Sequence, residues 1–284
     1  MNGNIFHPDT KKQIRNFINS PGHALLLSGP NGSGKSTLAA GLAETVTGIA
    51  PNSLDNYAYK MIISTTGNSI GIEEVRKLVH FLSLRVPSAA KFNRAVIIED
   101  AQLLTLEAQN AILKTLEEPP AGTFIILTAS HTQTLLPTIR SRSQLITIRK
   151  PSKSNLLVYF EKMGYTPTDI NQAYSISGGL PGLMHALLTQ DDHQLLKATE
   201  EARRFLKATI YERLIMVDEL SKDRELCLNM AYILQQMAHV SLQTACGRVA
   251  KRWYNILSSA FTAVNSINQN AQLKLTLINL ALAF

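Results

Sequence analysis

The chain has 284 residues, 45% hydrophobic and 17% charged, with a net charge of +7, the balance of a soluble protein with a sizeable core and room for one large domain or two to three small ones. No apolar run is long enough to cross a bilayer, and the opening Met1-Asn2-Gly3-Asn4-Ile5-Phe6-His7-Pro8 lacks the basic-then-apolar order of a signal peptide, so the expected place is the cytoplasm, with no membrane partner. A pI near 9.4 suits nucleic acid or another polyanion as well as plain solubility, while an aromatic content of 6% does not indicate a base-stacking platform.

The first apolar run, 24–27, feeds Gly29-Pro30-Asn31-Gly32-Ser33-Gly34-Lys35-Ser36, and a helical stretch follows from Thr37. A strand, a glycine-rich turn and a helix in that order aim several backbone N–H groups and a helix dipole at one point. Gly32 and Gly34 let the backbone curl around a phosphate. Lys35 can reach the outer phosphates, and Ser36 can offer its hydroxyl to Mg²⁺. ATP with Mg²⁺ is therefore the expected cofactor, held by 29–37.

Further apolar runs lie at 60–64, 95–98, 123–128 and 145–148. Their uniform apolarity suits strands buried on both faces of a parallel sheet. Between them, Ile72, Val75, Leu78, Val79 and Leu82 form one helical stripe, and Ala108, Ala111, Ile112, Thr115 and Leu116 another. Thr105 is the expected N-cap of the second, and Pro119-Pro120 ends it. This pattern, from about Ala24 to Arg149, predicts a doubly wound α/β domain.

Glu99-Asp100 closes the run 95–98. Strand ends of a parallel sheet face the ligand crevice, so one acid can hold Mg²⁺, directly or through water, and the other can orient an attacking water. The usual order in such enzymes is Asp then Glu. Here Glu99 takes the metal side and Asp100 the water side, and the shorter reach of Asp points to weak turnover. The plain alternative for Asp100 is to cap the turn into Ala101. Thr128 or Ser130, ending the next strand, is either a sensor of the outer phosphate or an ordinary strand-end hydroxyl. In Leu136-Pro137-Thr138-Ile139-Arg140-Ser141-Arg142-Ser143, an arginine on a loop at a domain edge can stabilise phosphoryl charge in a neighbouring subunit.

Pro151-Ser152-Lys153-Ser154 punctuates the chain. Helices are expected at 155–164, 169–177 and 182–189, then at 192–207, 210–218, 224–239, 245–265 and 270–282. Cys227 and Cys246 are expected to be reduced and buried, with no disulfide frame or zinc module. No His pair has metal-binding spacing. His23 is expected to be structural, and 5–7 to lean on the adenine.

Together these residues resemble the AAA+ ATPases of the clamp-loader type, which serve bacterial DNA polymerase III. The stretch 69–142 carries the likeness: Ser69-Ile70-Gly71-Ile72-Glu73-Glu74-Val75-Arg76, then Ala108-Gln109-Asn110-Ala111-Ile112-Leu113-Lys114-Thr115-Leu116-Glu117-Glu118-Pro119-Pro120, then Leu135-Leu136-Pro137-Thr138-Ile139-Arg140-Ser141-Arg142. Its specific parts are Leu-Lys-Thr-Leu-Glu-Glu-Pro-Pro and Ser-Arg-Ser, a near-match to the family's Ser-Arg-Cys. The helical remainder agrees only in the order and length of its parts.

The resemblance implies a P-loop AAA+ domain (1–150), a small helical lid (151–190) and an all-α collar (191–284) that joins subunits in a hetero-oligomeric ring. It implies an ATP-binding subunit that helps to load the sliding clamp on primed DNA, with Arg142 offered in trans. Arg76 and Thr105 fall beside helices that follow the DNA backbone in this family. Three departures stand out. Pro181 lies near the place where active subunits carry a lid arginine, the acidic pair is reversed, and 48–71 lacks the zinc-binding cysteines of many relatives. They favour a subunit that binds nucleotide with little hydrolysis of its own. The alternatives are an autonomous P-loop ATPase and a ring scaffold with a vestigial loop.

Overall fold

The computed structural model describes residues 5–65, 69–86, 91–189, 194–269 and 271–283. The chain divides into two compact units, Met1–Pro151 and Ser152–Phe284. The first is built on a parallel sheet of β1 (Ala24–Ser28), β2 (Lys60–Ile63), β3 (Arg94–Ile98), β4 (Thr123–Ala129) and β5 (Gln144–Thr147), in spatial order β2-β3-β4-β1-β5. Its helices are α1 (Pro8–Asn19), α2 (Lys35–Thr47), α3 (Ile72–Ser83), α4 (Leu106–Glu117) and α5 (Pro137–Arg142).

All five expected strands are present. Burial on both faces holds for β3 and β4 throughout and for β1 up to its last residue. It fails for β2 and β5, where Ile62 and Leu145 are 41% and 50% exposed. These two are the sheet's edges, each with one neighbouring strand, so an apolar run there is covered on fewer sides. Alternate strand residues point to opposite faces, which creates two cores. Leu26, Val96, Ile98 and Leu127 pack with Leu78 and Ile112, whereas Leu25, Ile97, Phe124 and Ile126 pack with Phe17 and Leu38.

The helix α1 falls where the sequence predicts no element. His7 Nδ1 accepts the Asp9 N–H at 3.2 Å, and Pro8 opens the helix. Phe6 is buried in the core, and the segment 5–7 leads directly into this helix. Two α1 side chains also bond the edge strand. The Thr10 hydroxyl donates to the Thr147 carbonyl at 3.0 Å, and Gln13 Oε1 accepts the Thr147 N–H at 3.2 Å.

The segment 137–142, expected as a loop, is the short helix α5. Pro137 presets its first turn and Ile139 is fully buried. Gln109, buried on α4, holds its start. Its Nε2 donates to the Leu104 and Thr134 carbonyls, both at 3.2 Å, and its Oε1 accepts the Leu136 N–H at 2.8 Å. His23 is structural, its Nε2 lying 2.9 Å from the Leu116 carbonyl.

The second unit is helical: α6 (Lys153–Lys162), α7 (Pro167–Ser177), α8 (Pro181–Thr189), α9 (Gln194–Lys207), α10 (Ile210–Leu220), α11 (Arg224–Leu242), α12 (Gly247–Asn268) and α13 (Leu273–Leu282). Side chains of Ser152, Thr166, Thr209 and Asp223 cap the starts of α6, α7, α10 and α11, each removing an otherwise unpaired backbone donor. The starts expected at Asp192 and Asn270 lie outside the described residues. Phe205, Met230, Leu234, Val264 and Leu277 meet in one core. Arg213, 4% exposed, ties helix ends together: its Nε donates to the Phe205 carbonyl at 2.8 Å and its Nη1 to the Ala281 carbonyl at 3.4 Å. Cys227 is buried as expected, and burial pushes its thiol up to about 12. Cys246 is exposed instead, because it stands in the turn just before α12, outside the core.

Gln109→Ala leaves a buried N–H and two carbonyls without their partner. The expected cost is about 2–3 kcal/mol, read as an earlier urea transition of the first unit with an unchanged slope.

Candidate functional site

Parallel pairing of β1 with β4 runs one residue past the strand, as the Gly29 N–H donates to the Ala129 carbonyl at 3.1 Å. The chain then turns through Gly32 and Gly34, at φ +77° and +87°. Gly34 stands immediately before α2, and a Cβ added there would meet nothing within 4 Å. Glycine thus supplies the left-handed bend and keeps the approach to the α2 amides open. The first amides of a helix lack acceptors within it, and they carry the positive end of its dipole.

Lys35, 7% exposed, lies back on this loop. Its Nζ donates to the carbonyls of Gly29 at 2.8 Å and Pro30 at 3.2 Å and to Asn31 Oδ1 at 3.3 Å. Burial lowers its pKa to about 8, against the opposing pull of Asp100 and Glu99. Ser36 and Thr37 are exposed on the first turn of α2. The Ser33 Oγ is buried with no hydrogen-bond partner among the described residues.

Glu99 and Asp100 follow β3, next to β4 in the sheet. Asp100 is left-handed at φ +48°, a conformation that Asp tolerates better than most residues. It does not cap the turn with its side chain. Its Oδ1 accepts the Gln102 Nε2–H at 3.0 Å, and its N–H donates to Thr128 Oγ1 at 3.1 Å. Gln102 Oε1 in turn accepts the Ser130 N–H at 3.1 Å. Ser130 Oγ lies 3.0 Å from His131 Nδ1, and His131 is held below its usual pKa by burial and then by the charge of Lys35. Gln102 and His131 escape a sequence reading. The only signal for Gln102 is its place two residues after an acid, and His131 carries none beyond following Ser130.

The strand ends therefore gather Gly29, Pro30, Asn31, Gly32, Ser33, Gly34, Lys35, Ser36, Thr37, Glu99, Asp100 and Ser130. The other three candidates stand elsewhere in the first unit. Arg142 ends α5, with its Nη2 2.6 Å from Glu117 Oε1 and its Nη1 donating to the Thr138 carbonyl at 3.2 Å. Arg76 is exposed on α3 and paired with Glu73. Thr105 caps α4, its Oγ1 accepting the Ala108 N–H at 3.2 Å. Among the described residues no group of His, Cys, Asp and Glu could hold a metal by itself, and no helix is long and apolar enough to cross a membrane. The chemistry of the loop fits a Mg²⁺-nucleotide. It offers open amides, a buried ammonium, the unpartnered Ser33 hydroxyl and the exposed Ser36 hydroxyl.

Residues 7–152 match the family model described as DNA polymerase III, delta subunit. The DNA polymerase III subunit delta' of Escherichia coli is 34% identical over 128 residues, 45% of this chain and 38% of that one. That of Haemophilus influenzae is 28% identical over 145 residues, 46% of this chain and 44% of that one. The match thus spans less than half the length of either relative. Among solved structures, a DNA polymerase III gamma subunit-related protein from Thermotoga maritima shares the fold, with a TM-score of 0.56 at 22% identity over 96% of this chain and 97% of that one. The clamp-loader resemblance drawn from 69–142 is borne out.

The buried lysine sets the pH dependence of phosphate binding. In the free protein Lys35 loses its proton above about pH 8. A bound triphosphate raises that pKa, so binding takes up a proton there, and affinity falls by up to about tenfold per pH unit above it. Calorimetry with Mg·ATP is expected to show constant affinity near neutrality and weakening above about pH 8. His131, held low, stays neutral across this window. Lys35→Ala is expected to lose tight binding together with the alkaline slope.

Proposed function

The chain belongs to the family described as DNA polymerase III, delta subunit, and on that premise we propose that it is a delta'-type, ATP-binding subunit of a clamp loader. It joins related subunits in a hetero-oligomeric ring that places the sliding clamp on primed DNA. The observation that carries this reading is the complete phosphate cradle of 29–37 beside Glu99 and Asp100. When bound, Mg·ATP supplies the phosphoryl group and the charge that the ring responds to. The chain's own parts are the amides after Gly34 and Lys35, which would hold phosphate, Ser36 and Glu99, which would hold Mg²⁺ (Glu99 through water), and Ser130, which would serve the outer phosphate. Asp100, the water-side acid, is occupied by Gln102 Nε2. That contact, together with the reversed acids, supports weak hydrolysis.

In this reading α6–α8 (151–190) are the lid and α9–α13 (191–284) the collar. Pro181 opens α8, where an uncharged ring stands in for the arginine of a motor subunit. Ile210, Tyr211 and Ile215 on α10 and Leu275 and Leu282 on α13 are more than half exposed, a patch that suits contact with a neighbouring subunit. Asp218–Lys274, at 2.6 Å, holds the two helices together. Arg142 is the finger offered to the neighbour's nucleotide, and Arg76 and Thr105 are the DNA-facing candidates. The alternative, an autonomous P-loop ATPase of the gamma/tau type, is favoured by the intact Lys35, Ser36 and Glu99. Steady turnover by the purified chain, abolished by Lys35→Ala, would establish it.

Arg142 is oriented by Glu117, so the two residues are expected to act as one unit. In a complex reconstituted with its partner subunits, Arg142→Ala is expected to lower DNA-stimulated ATP turnover at least tenfold. Glu117→Ala loses a half-exposed ion pair and is expected to cost about three- to fivefold. The double variant is expected to be no worse than Arg142→Ala. Unchanged turnover with Arg142→Ala would remove the finger role.

A further inference from the structure

No residue after Glu225 is an aspartate or a glutamate. Within that stretch, α12 exposes Arg248, Lys251 and Arg252 in its first two turns. The Arg252 Nη2 donates to the Leu206 carbonyl at 3.4 Å, which brings this cluster to the end of α9, where Lys207 is also exposed. On the neighbouring helices Glu201 pairs with Arg204, Glu212 caps α10 with Thr209, and Asp218 pairs with Lys274. Arg248 and Lys251 are exposed to solvent.

Aromatic rings stand on the same helix. Tyr254 is 64% exposed and Phe261 is 60% exposed. Lys251, Tyr254 and Phe261 follow one another at three and seven residues, so they line one face, opposite the buried Ile256, Ala260 and Ile267. Two helical turns separate the rings, roughly 10 Å. The chain's low aromatic content hid this concentration.

We propose that this face of α12 binds a single-stranded polynucleotide, with Arg248 and Lys251 on phosphates and Tyr254 and Phe261 stacked on bases. A cationic track beside exposed rings is the arrangement that non-specific single-strand binders use. A duplex keeps its bases stacked and inaccessible to such rings. The patch on α10 and α13 differs in kind: it is apolar, and Lys274 beside it is paired with Asp218. The inference is independent of the phosphate cradle and of any ring assembly.

The test uses the full chain and a fluorescein-labelled 20-nucleotide oligo-dT, followed by anisotropy across a salt series. Arg248→Ala/Lys251→Ala is expected to weaken binding at least tenfold and to lower the slope of log affinity against log salt by about 1.4, roughly 0.7 per cation. Tyr254→Ala is expected to weaken binding at least fivefold with the slope unchanged. Lys11→Ala/Lys12→Ala, an equal charge change on α1, is expected to stay within twofold. A hairpin duplex of equal length is expected to bind at least tenfold more weakly. Circular dichroism checks that each variant is folded. Failure to bind oligo-dT, equal loss with the α1 variant, or equal binding of the duplex would each overturn the proposal. So would a Tyr254→Ala/Phe261→Ala chain that binds oligo-dT normally but no longer joins its partner subunits, since the face would then be a protein interface.

Discussion

Parallel pairing between β1 and β4 is the constraint on which the site depends. It continues beyond Ser28 to the bond between the Gly29 N–H and the Ala129 carbonyl. That bond fixes where the loop leaves the sheet, and hence where α2 begins. β3 lies on the other side of β4, so the acids after β3 and the hydroxyl at the end of β4 come to the same rim. A single rung of a sheet thus joins residues roughly 100 apart in sequence. Within the rim the chemistry is local. Lys35 rests on three oxygens of its own loop, and Gln102 spans from the Asp100 carboxylate to the Ser130 amide. The turn after β3 and the end of β4 are thus braced against each other.

In the same unit α4 serves both the core and the helix that follows it. One face of α4 fills the core through Ala108, Ile112 and Leu116. Its other residues position α5: Gln109 grips the start of that helix and Glu117 grips Arg142 at its end. A six-residue helix cannot stay folded on its own hydrogen bonds. It is ordered because a longer neighbour supports both ends.

Much of this was legible in the residues. Uniform apolar runs gave the five strands, and Thr105 was readable as the cap of α4. Three things were not legible, each for a physical reason. An apolar run does not say how many strands flank it, so the exposed edges β2 and β5 looked like interior strands. Only Ile14 and Phe17 among the apolar residues of α1 are buried, and α5 is a single turn and a half ending in arginines, so neither helix offers a sustained period. Side-chain amides such as Gln102 and Gln109 have no periodic signal at all. Their roles exist only once the fold brings their acceptors within reach.

The bonds from Thr10 and Gln13 to Thr147 carry a consequence for how copies of this domain can meet. Thr147 would otherwise present an unpaired N–H and carbonyl on the outer border of the sheet, an invitation for a stray extended segment to dock there. With both groups already taken, no further strand can pair with the sheet at Thr147. Any association at this point has to be made by side chains, which can be specific and reversible, rather than by indiscriminate backbone annealing. Contact through helices then does not bring with it adhesion through strands.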